Sequence, residues 1–181
     1  MADPMRRVVT EIAGEPFHVF FTPEDGLVRA AGFASQSDPL AEAVFARLGQ
    51  LDPALARRTV DPEPVTTGQV AEALHAYASG SFAELNELPV SQPATPFRSE
   101  VWQQLRNIPP GGRVSYTDLA TMAGNPRAVR AAASACANNL VALIVPCHRV
   151  VRSDGSLGGY LFGVELKARL LEFESAAGVN S

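Results

Sequence analysis

The chain has 181 residues, 46% hydrophobic and 19% charged, which suits a packed core and argues against global disorder. Two cysteines are too few for a disulfide framework, and the longest apolar run, Leu140 to Val145, is far too short to span a bilayer. The net charge of −4 hides an asymmetry: residues 1–97 carry 6 Lys/Arg against 13 Asp/Glu (−7), residues 98–181 carry 9 against 6 (+3), so an anionic partner is expected on the C-terminal half.

The first elements read as strands. "RRVVTEI", "PFHVFFT" and "GLVRAAGF" are β-rich runs separated by "AGE" and "PEDG", the pattern of a small antiparallel meander. "SDPLAEAVFARLGQL" reads as a helix capped by Ser37 or Asp38, with Leu40, Val44, Leu48 and Leu51 on one face. "TTGQVAEALHAYASG" reads as a second helix, from a Thr cap to a Gly stop. Residues 86–96 hold three prolines and read as a connection. No apolar run follows "MADPMRR", so no leader is expected and the default is a cytoplasmic protein with free thiols.

After the prolines the pattern becomes helical. "TPFRSEVWQQLRNI" places Phe97, Val101, Trp102, Leu105 and Ile108 on one face, and "PPGG" ends it. "SYTDLATMAG" reads as a short helix capped by Ser115. "PRAVRAAASACANN" reads as another, with Pro126 in its first turn. Two short helices joined by "AGNP" form a helix-turn-helix candidate. The second has almost no side-chain bulk from Ala131 to Ala137 and carries Arg130 at its head, so it can approach another surface closely.

"IVPCHRVV" places a thiol, an imidazole and a guanidinium in consecutive positions inside an apolar run. Cys136 in the alanine-rich helix reads as a small buried hydrophobe. Cys147 differs, because His148 and Arg149 beside it can favour the thiolate, which is the nucleophile. Pro146 breaks the run and allows a turn. In an extended strand residues 147 and 148 would point to opposite faces, so proton transfer between them needs a turn or an intervening water. The base also needs an orienting partner, and Asn138, Asn139, Asp154, Glu172 and Glu174 are all candidates. The cysteines and histidines show no metal-ligand spacing, so no metal and no cofactor are expected, and His18 and His75 read as structural.

Together these residues resemble a known family. "FRSEVWQQLRNIPPGGRVSY", "TDLATMAGNPRAVRAAASACANN" and "VPCHRVVRSDGSLGGYLFGVELKARLLEFE" are similar to the O6-alkylguanine-DNA alkyltransferases, strongly over residues 97–174 and only in layout over 1–96. The resemblance implies a single irreversible transfer of the O6-alkyl group of damaged guanine to the protein's own Cys147. It leaves O4-alkylthymine open as a second substrate. It makes His148 a base acting through water, Glu174 its orienting partner, Asn139 the residue that holds the thiol turn, and Tyr116 a donor to the leaving base. Arg130 would fill the stack left by a flipped nucleotide, with Ala131 and Ser134 on the DNA-facing side of the same helix. Val150, Tyr160, Leu161, Phe162 and Lys167 would line or support the guanine pocket.

Two departures bear on that pocket. Leu140 follows Asn139 where many members have proline, and Phe162 stands where many have glycine. The expected fold is α/β. Residues 1–90 would form a small antiparallel sheet with helices, 91–96 a linker, 97–175 a mostly helical DNA-binding and alkyl-acceptor domain with the helix-turn-helix, and 176–181 a tail. The expected partner is double-stranded DNA containing O6-alkylguanine, bound by a monomer with no membrane association. Two alternatives stay open: a module that binds alkylated DNA without reacting, and a thiol hydrolase built on the Cys–His pair.

Overall fold

The computed structural model describes residues 2–34 and 42–178. The contacts divide the chain into two compact units, one of Met1–Pro93 with Leu140–Ile144, the other of Ala94–Asn139 with Val145–Ser181. The overall class is α/β, as expected.

The N-terminal unit is built on three antiparallel strands in the order β1 (Arg6–Ile12), β2 (Glu15–Phe21), β3 (Val28–Phe33). Ala13 and Gly14 turn the first hairpin with φ of 52° and 82°, the double left-handed geometry that suits a two-residue turn between right-twisted strands. Strand β2 is central, and its Phe17, His18, Val19 and Phe20 are all buried. Helix α1 (Glu42–Leu51) buries Val44 and Leu48, a short α2 (Pro53–Ala56) follows, and α3 (Gln69–Ala78) buries Val70, Ala71, Ala73, Leu74 and Tyr77. Another short helix, α4 (Ala83–Asn86), closes this part. The segment Leu140–Ile144 belongs to this unit too. Val141 bridges Ala31 of β3, Ala31 N–H donates to Leu140 O at 2.8 Å, and Ala142 N–H donates to Ala31 O at 3.1 Å.

Three sequence expectations need correction here. Leu51 is 39% exposed rather than on the buried face, because the chain turns into α2 immediately after it. The N-cap of α3 is Gly68, with φ of 93°, and not a threonine. The α1 cap residues Ser37 and Asp38, with Leu40, lie outside the described residues.

The C-terminal unit opens with α5 (Pro96–Arg106). Thr95 caps it by accepting from Arg98 N–H, and Pro96 takes the first turn, where its missing N–H costs nothing. Val101, Trp102 and Leu105 face the core, as the spacing implies. Strand β4 (Val114–Ser115) runs parallel to β5 (Val150–Val151) in the register Val114 to Val150. Helix α6 (Tyr116–Met122) starts on a full capping box between Ser115 and Asp118. Helix α7 (Val129–Ala137) follows, with Ala128 as its N-cap, so Pro126 lies in the preceding turn instead of the first helical turn. Trp102 Nε1–H donates to Ala135 O at 2.9 Å and fixes the inner side of α7. Helix α8 (Val164–Gly178) buries Leu166, Lys167, Leu170, Leu171 and Glu174, which share one face at helical spacing. No helix among the described residues is long and apolar enough to cross a membrane.

Candidate active site

Pro146 ends the apolar run, and Cys147–Arg149 form a single 3-10 turn. Cys147 N–H donates to Val145 O at 2.9 Å and Arg149 N–H to Pro146 O at 3.1 Å. This turn takes Cys147 and His148 out of the extended geometry that would point their side chains to opposite faces. Cys147 is 9% exposed, so the thiol is largely desolvated. Asn139, itself buried, donates from Nδ2 to Val145 O at 2.8 Å and to Cys147 Sγ at 3.4 Å. One amide therefore holds both the turn and the sulfur.

His148 is fully buried, and its Nε2 stands 2.8 Å from Glu174 Oε1. Glu174 is also gripped by Arg149, through NH2 to Oε1 at 2.8 Å and Nε to Oε2 at 3.0 Å. Arg149 NH1 donates to Ile108 O at 2.7 Å, and Gly111 N–H reaches Glu174 Oε2 at 3.3 Å. The sequence assigned the Arg149 charge to the thiol. The structure gives it to Glu174, because a buried guanidinium needs a fork-matching carboxylate and Glu174 is the one that meets it. Arg149 is thus the site residue that sequence reasoning placed wrongly. A cation inside an apolar run was the signal, together with a glutamate on the same apolar helix face as Leu170 and Leu171.

Burial alone would raise the Glu174 carboxyl, but hydrogen bonds and charge from His148 and Arg149 hold it well below the usual carboxylate range. It is therefore an anion that accepts hydrogen bonds. His148 Nε2 must then carry the hydrogen, which leaves Nδ1 as the free base. Burial pushes His148 down from its ordinary value, against the pull of Glu174, so the resting imidazole is neutral. Burial pushes the Cys147 thiol up, against the Asn139 hydrogen bond and the Lys167 ammonium. Cys136 is also pushed up by burial, in keeping with a packing role.

Tyr116 begins α6 and is half-buried. Burial and the sulfurs of Cys136 and Cys147 push its hydroxyl up to about 12, against Arg152, so it can donate but not ionise near neutrality. A Cβ on Gly158 would meet the Tyr116 ring and hydroxyl at 3.4 Å, and φ of 71° already favours glycine there. Lys167, fully buried on α8, donates to Leu157 O at 2.5 Å and Gly159 O at 3.3 Å and so fixes this loop. Tyr160 meets Phe162 edge-on, with ring centroids 5.5 Å apart. Val150 is buried in β5, whereas Leu161 is 55% exposed. On α7, Arg130, Ala131 and Ser134 are exposed, and Asn138 Nδ2 donates to Ser134 O and Oγ at 2.8 and 3.3 Å. His18 is buried in β2 and His75 is exposed on α3, both far in sequence from this constellation.

A probable methylated-DNA–protein-cysteine methyltransferase of Acanthamoeba polyphaga mimivirus is 46% identical over 101 residues, which cover 56% of this chain and 67% of that protein. The chain belongs to the methylated-DNA–protein-cysteine methyltransferase family. Residues 96–176 match the family model described as 6-O-methylguanine DNA methyltransferase, DNA binding domain, and this range contains every methyltransferase motif residue named above. The bifunctional transcriptional activator/DNA repair enzyme Ada of Escherichia coli is 57% identical over 88 residues, which cover 49% of this chain but only 25% of that larger protein. The methyltransferase likeness extends through the N-terminal unit in three dimensions. The Mycobacterium tuberculosis OGT solved in complex with DNA matches 95% of this chain and 94% of its own, with a TM-score of 0.73 and 27% identity.

Proposed function

We propose that this chain repairs alkylated DNA by transferring the O6-alkyl group of guanine, chiefly methyl, to Cys147, once per molecule. The observation that carries this reading is the pair of linkages Asn139–Cys147 and His148–Glu174–Arg149, set side by side by the consecutive residues 147 and 148, within the stretch matched by the family model. We take residues 97–175 as the alkyl-acceptor domain and double-stranded DNA as the partner, in line with the DNA-bound relative.

In this reading the thiol proton passes through a water to His148 Nδ1, and Glu174 stabilises the imidazolium. Sulfur attacks the alkyl carbon, the C–S bond forms, and the C–O6 pair leaves with guanine. Tyr116 donates a proton to the departing base and regains one from solvent. The product thioether is a poor leaving group, so no turnover follows. The substrate atom lies inside a stacked duplex, so the nucleotide must be extruded. Exposed Arg130 at the head of the low-profile α7 is placed to fill the gap, and Ala131 and Ser134 present no bulk to the groove. Val150, Tyr160, Leu161 and Phe162 supply the pocket wall, and Lys167 fixes the loop that carries them.

The test is intact mass after incubation with excess O6-methylguanine duplex. One added methyl on Cys147 and then no further reaction is expected. Cys147→Ser should bind the duplex and gain no methyl, because an alcohol is far less nucleophilic than a thiolate. Multiple turnover, or methylation on Cys136, overturns the reading. Binding without any transfer by the intact thiol would instead support the non-reacting recognition module.

A further inference from the structure

Leu140 is 2% exposed, and its backbone is held on both sides. Its C=O accepts from Ala31 N–H of β3 at 2.8 Å, and its N–H donates to Gln92 Oε1 at 2.9 Å. Buried backbone N–H groups are nearly always paired, and here the partner is a side chain 48 positions earlier. Gln92 stands in the proline-rich stretch that the sequence reads as a connection. That stretch is docked on the same strand that holds Leu140. Val90 bridges Val28, Val28 N–H donates to Pro89 O at 2.9 Å, and Ser91 N–H donates to Val28 O at 3.0 Å. Strand β3 thus anchors the segment of Gln92 through Val28 and that of Leu140 through Ala31, all within the N-terminal unit. Leu140 is bonded to Asn139, whose Nδ2 donates to Val145 O at 2.8 Å and to Cys147 Sγ at 3.4 Å. Every link from Gln92 to the sulfur is therefore a hydrogen bond or a covalent bond.

We propose that Gln92 is a positioning residue for the acceptor thiol, its side-chain carbonyl fixing the Asn139–Leu140 peptide and with it the Asn139 amide that donates to Cys147. This rests on Cys147 as the alkyl acceptor and gives a role to a residue outside the matched range 96–176. The physical reason is the planarity of the peptide bond. The unit that carries the Leu140 N–H also carries the Asn139 C=O, so any rotation of it turns the backbone at Asn139. Without an acceptor the buried N–H must swing towards water or stay unpaired at a cost. A swing draws the Asn139 side chain off the sulfur. A hydrogen bond to a thiolate favours the ionised form, so its loss raises the pH at which the thiol reacts. Proline at position 140 would need no acceptor, since it has no N–H, and Leu140 lacks the positive φ that would exclude proline.

The experiment follows iodoacetamide alkylation from pH 6 to 10, read at Cys147 by peptide mass, together with melting temperature. Gln92→Met keeps the length of the side chain and removes the acceptor. It should slow the reaction about three- to tenfold near neutrality, as a rise of about half to one pH unit in the thiol titration gives, and lower the melting temperature by roughly 2–6 °C. Gln92→Glu keeps an acceptor and should retain the wild-type profile. In a Leu140→Pro background Gln92→Met should have no further effect, because no N–H remains to be met. Val70→Ala trims a buried α3 side chain, so it should lower the melting temperature and leave the thiol profile in place.

An unchanged profile in Gln92→Met, an equal shift in Val70→Ala or Gln92→Glu, or an undiminished shift in the Leu140→Pro background overturns the proposal. Should Leu140→Pro fail to fold, the comparison of Gln92→Met with Gln92→Glu decides alone. No DNA enters this measurement. A wild-type protein that accepts no methyl from duplex would remove the repair reading while leaving the iodoacetamide profiles to decide the role of Gln92.

Discussion

In the N-terminal unit Arg58 meets Glu24 at 2.5 Å and Arg29 meets Asp25 at 2.6 Å, and each carboxylate side chain keeps a third or more of its surface in solvent. In the C-terminal unit His148, Arg149, Lys167 and Glu174 are all buried, and His148 and Arg149 share the Glu174 carboxylate. Exposed pairs of the first kind contribute little to stability and are screened by salt. Buried clusters of the second kind lose hydration that their mutual attraction only partly restores. The first unit therefore uses charge for solubility and local order. The second accepts an energetic cost that stability alone would not select, and it does so around one thiol. Net charge pointed to the same half, but the informative quantity is where the charge is buried.

The largest expected effect tests whether the cluster exists for chemistry. His148→Ala should slow methyl transfer from duplex by about 10²- to 10⁴-fold, the usual range for loss of a general base, with duplex affinity unchanged. Gel-shift affinity and single-turnover transfer, measured on the same preparation, separate the two. A parallel fall in affinity would make His148 a structural residue and break the contrast between the units.

Next in size is the charge pairing itself. Arg149→Met leaves Glu174 as a buried anion without its guanidinium and should destabilise the protein by about 3–5 kcal/mol. Arg149→Met with Glu174→Gln removes both charges and should recover most of that loss while staying inactive. Arg58→Met, in the other unit, should leave the melting curve nearly unmoved. Urea unfolding of the three variants provides the comparison, and equal losses for Arg149→Met and Arg58→Met would contradict it.

Pocket selectivity comes third. Phe162 rests edge-on against Tyr160, so it limits how far that ring can yield to a bulky adduct. Free O6-benzylguanine should inactivate the wild type slowly, and Phe162→Gly should accelerate it by roughly 10- to 200-fold while methyl repair changes little. Unchanged benzyl reactivity would place Phe162 outside the alkyl slot.

The smallest effect is a pH dependence of folding. Burial holds His148 below its ordinary value, so the unfolded chain binds its proton at about pH 6.5 while the folded chain does not. Stability is then complete above that pH and declines as pH falls through it. Melting temperature should drop between pH 7.5 and 5.5, and His148→Phe should flatten this part of the profile. A steeper fall in the variant would reverse the sign.

Local patterns were legible in the sequence wherever the physics is local. The β-rich run "RRVVTEI" and the Ser115 cap depend on neighbours a few residues away, and both stand where the local pattern puts them. Cys147 was legible because proline, thiol and imidazole are contiguous. Arg149 was misread because its partner lies 25 positions away on another element. Leu140–Ile144 read simply as an apolar run, and its pairing with Ala31 is set by a sheet edge more than a hundred residues earlier. The α3 cap failed for a different reason. Threonine is the better capping side chain, but Gly68 alone has the backbone freedom for φ of 93°.

Lys167 is the only lysine in the chain, and it is buried with its ammonium on the carbonyls of Leu157 and Gly159. The folded molecule therefore presents no lysine side chain to amine-directed reagents or to a lysine-specific protease. Any such reagent that does find Lys167 reports that the pocket loop has left α8. A single residue thus serves as a built-in gauge of whether that loop is closed, readable by peptide mapping without any label.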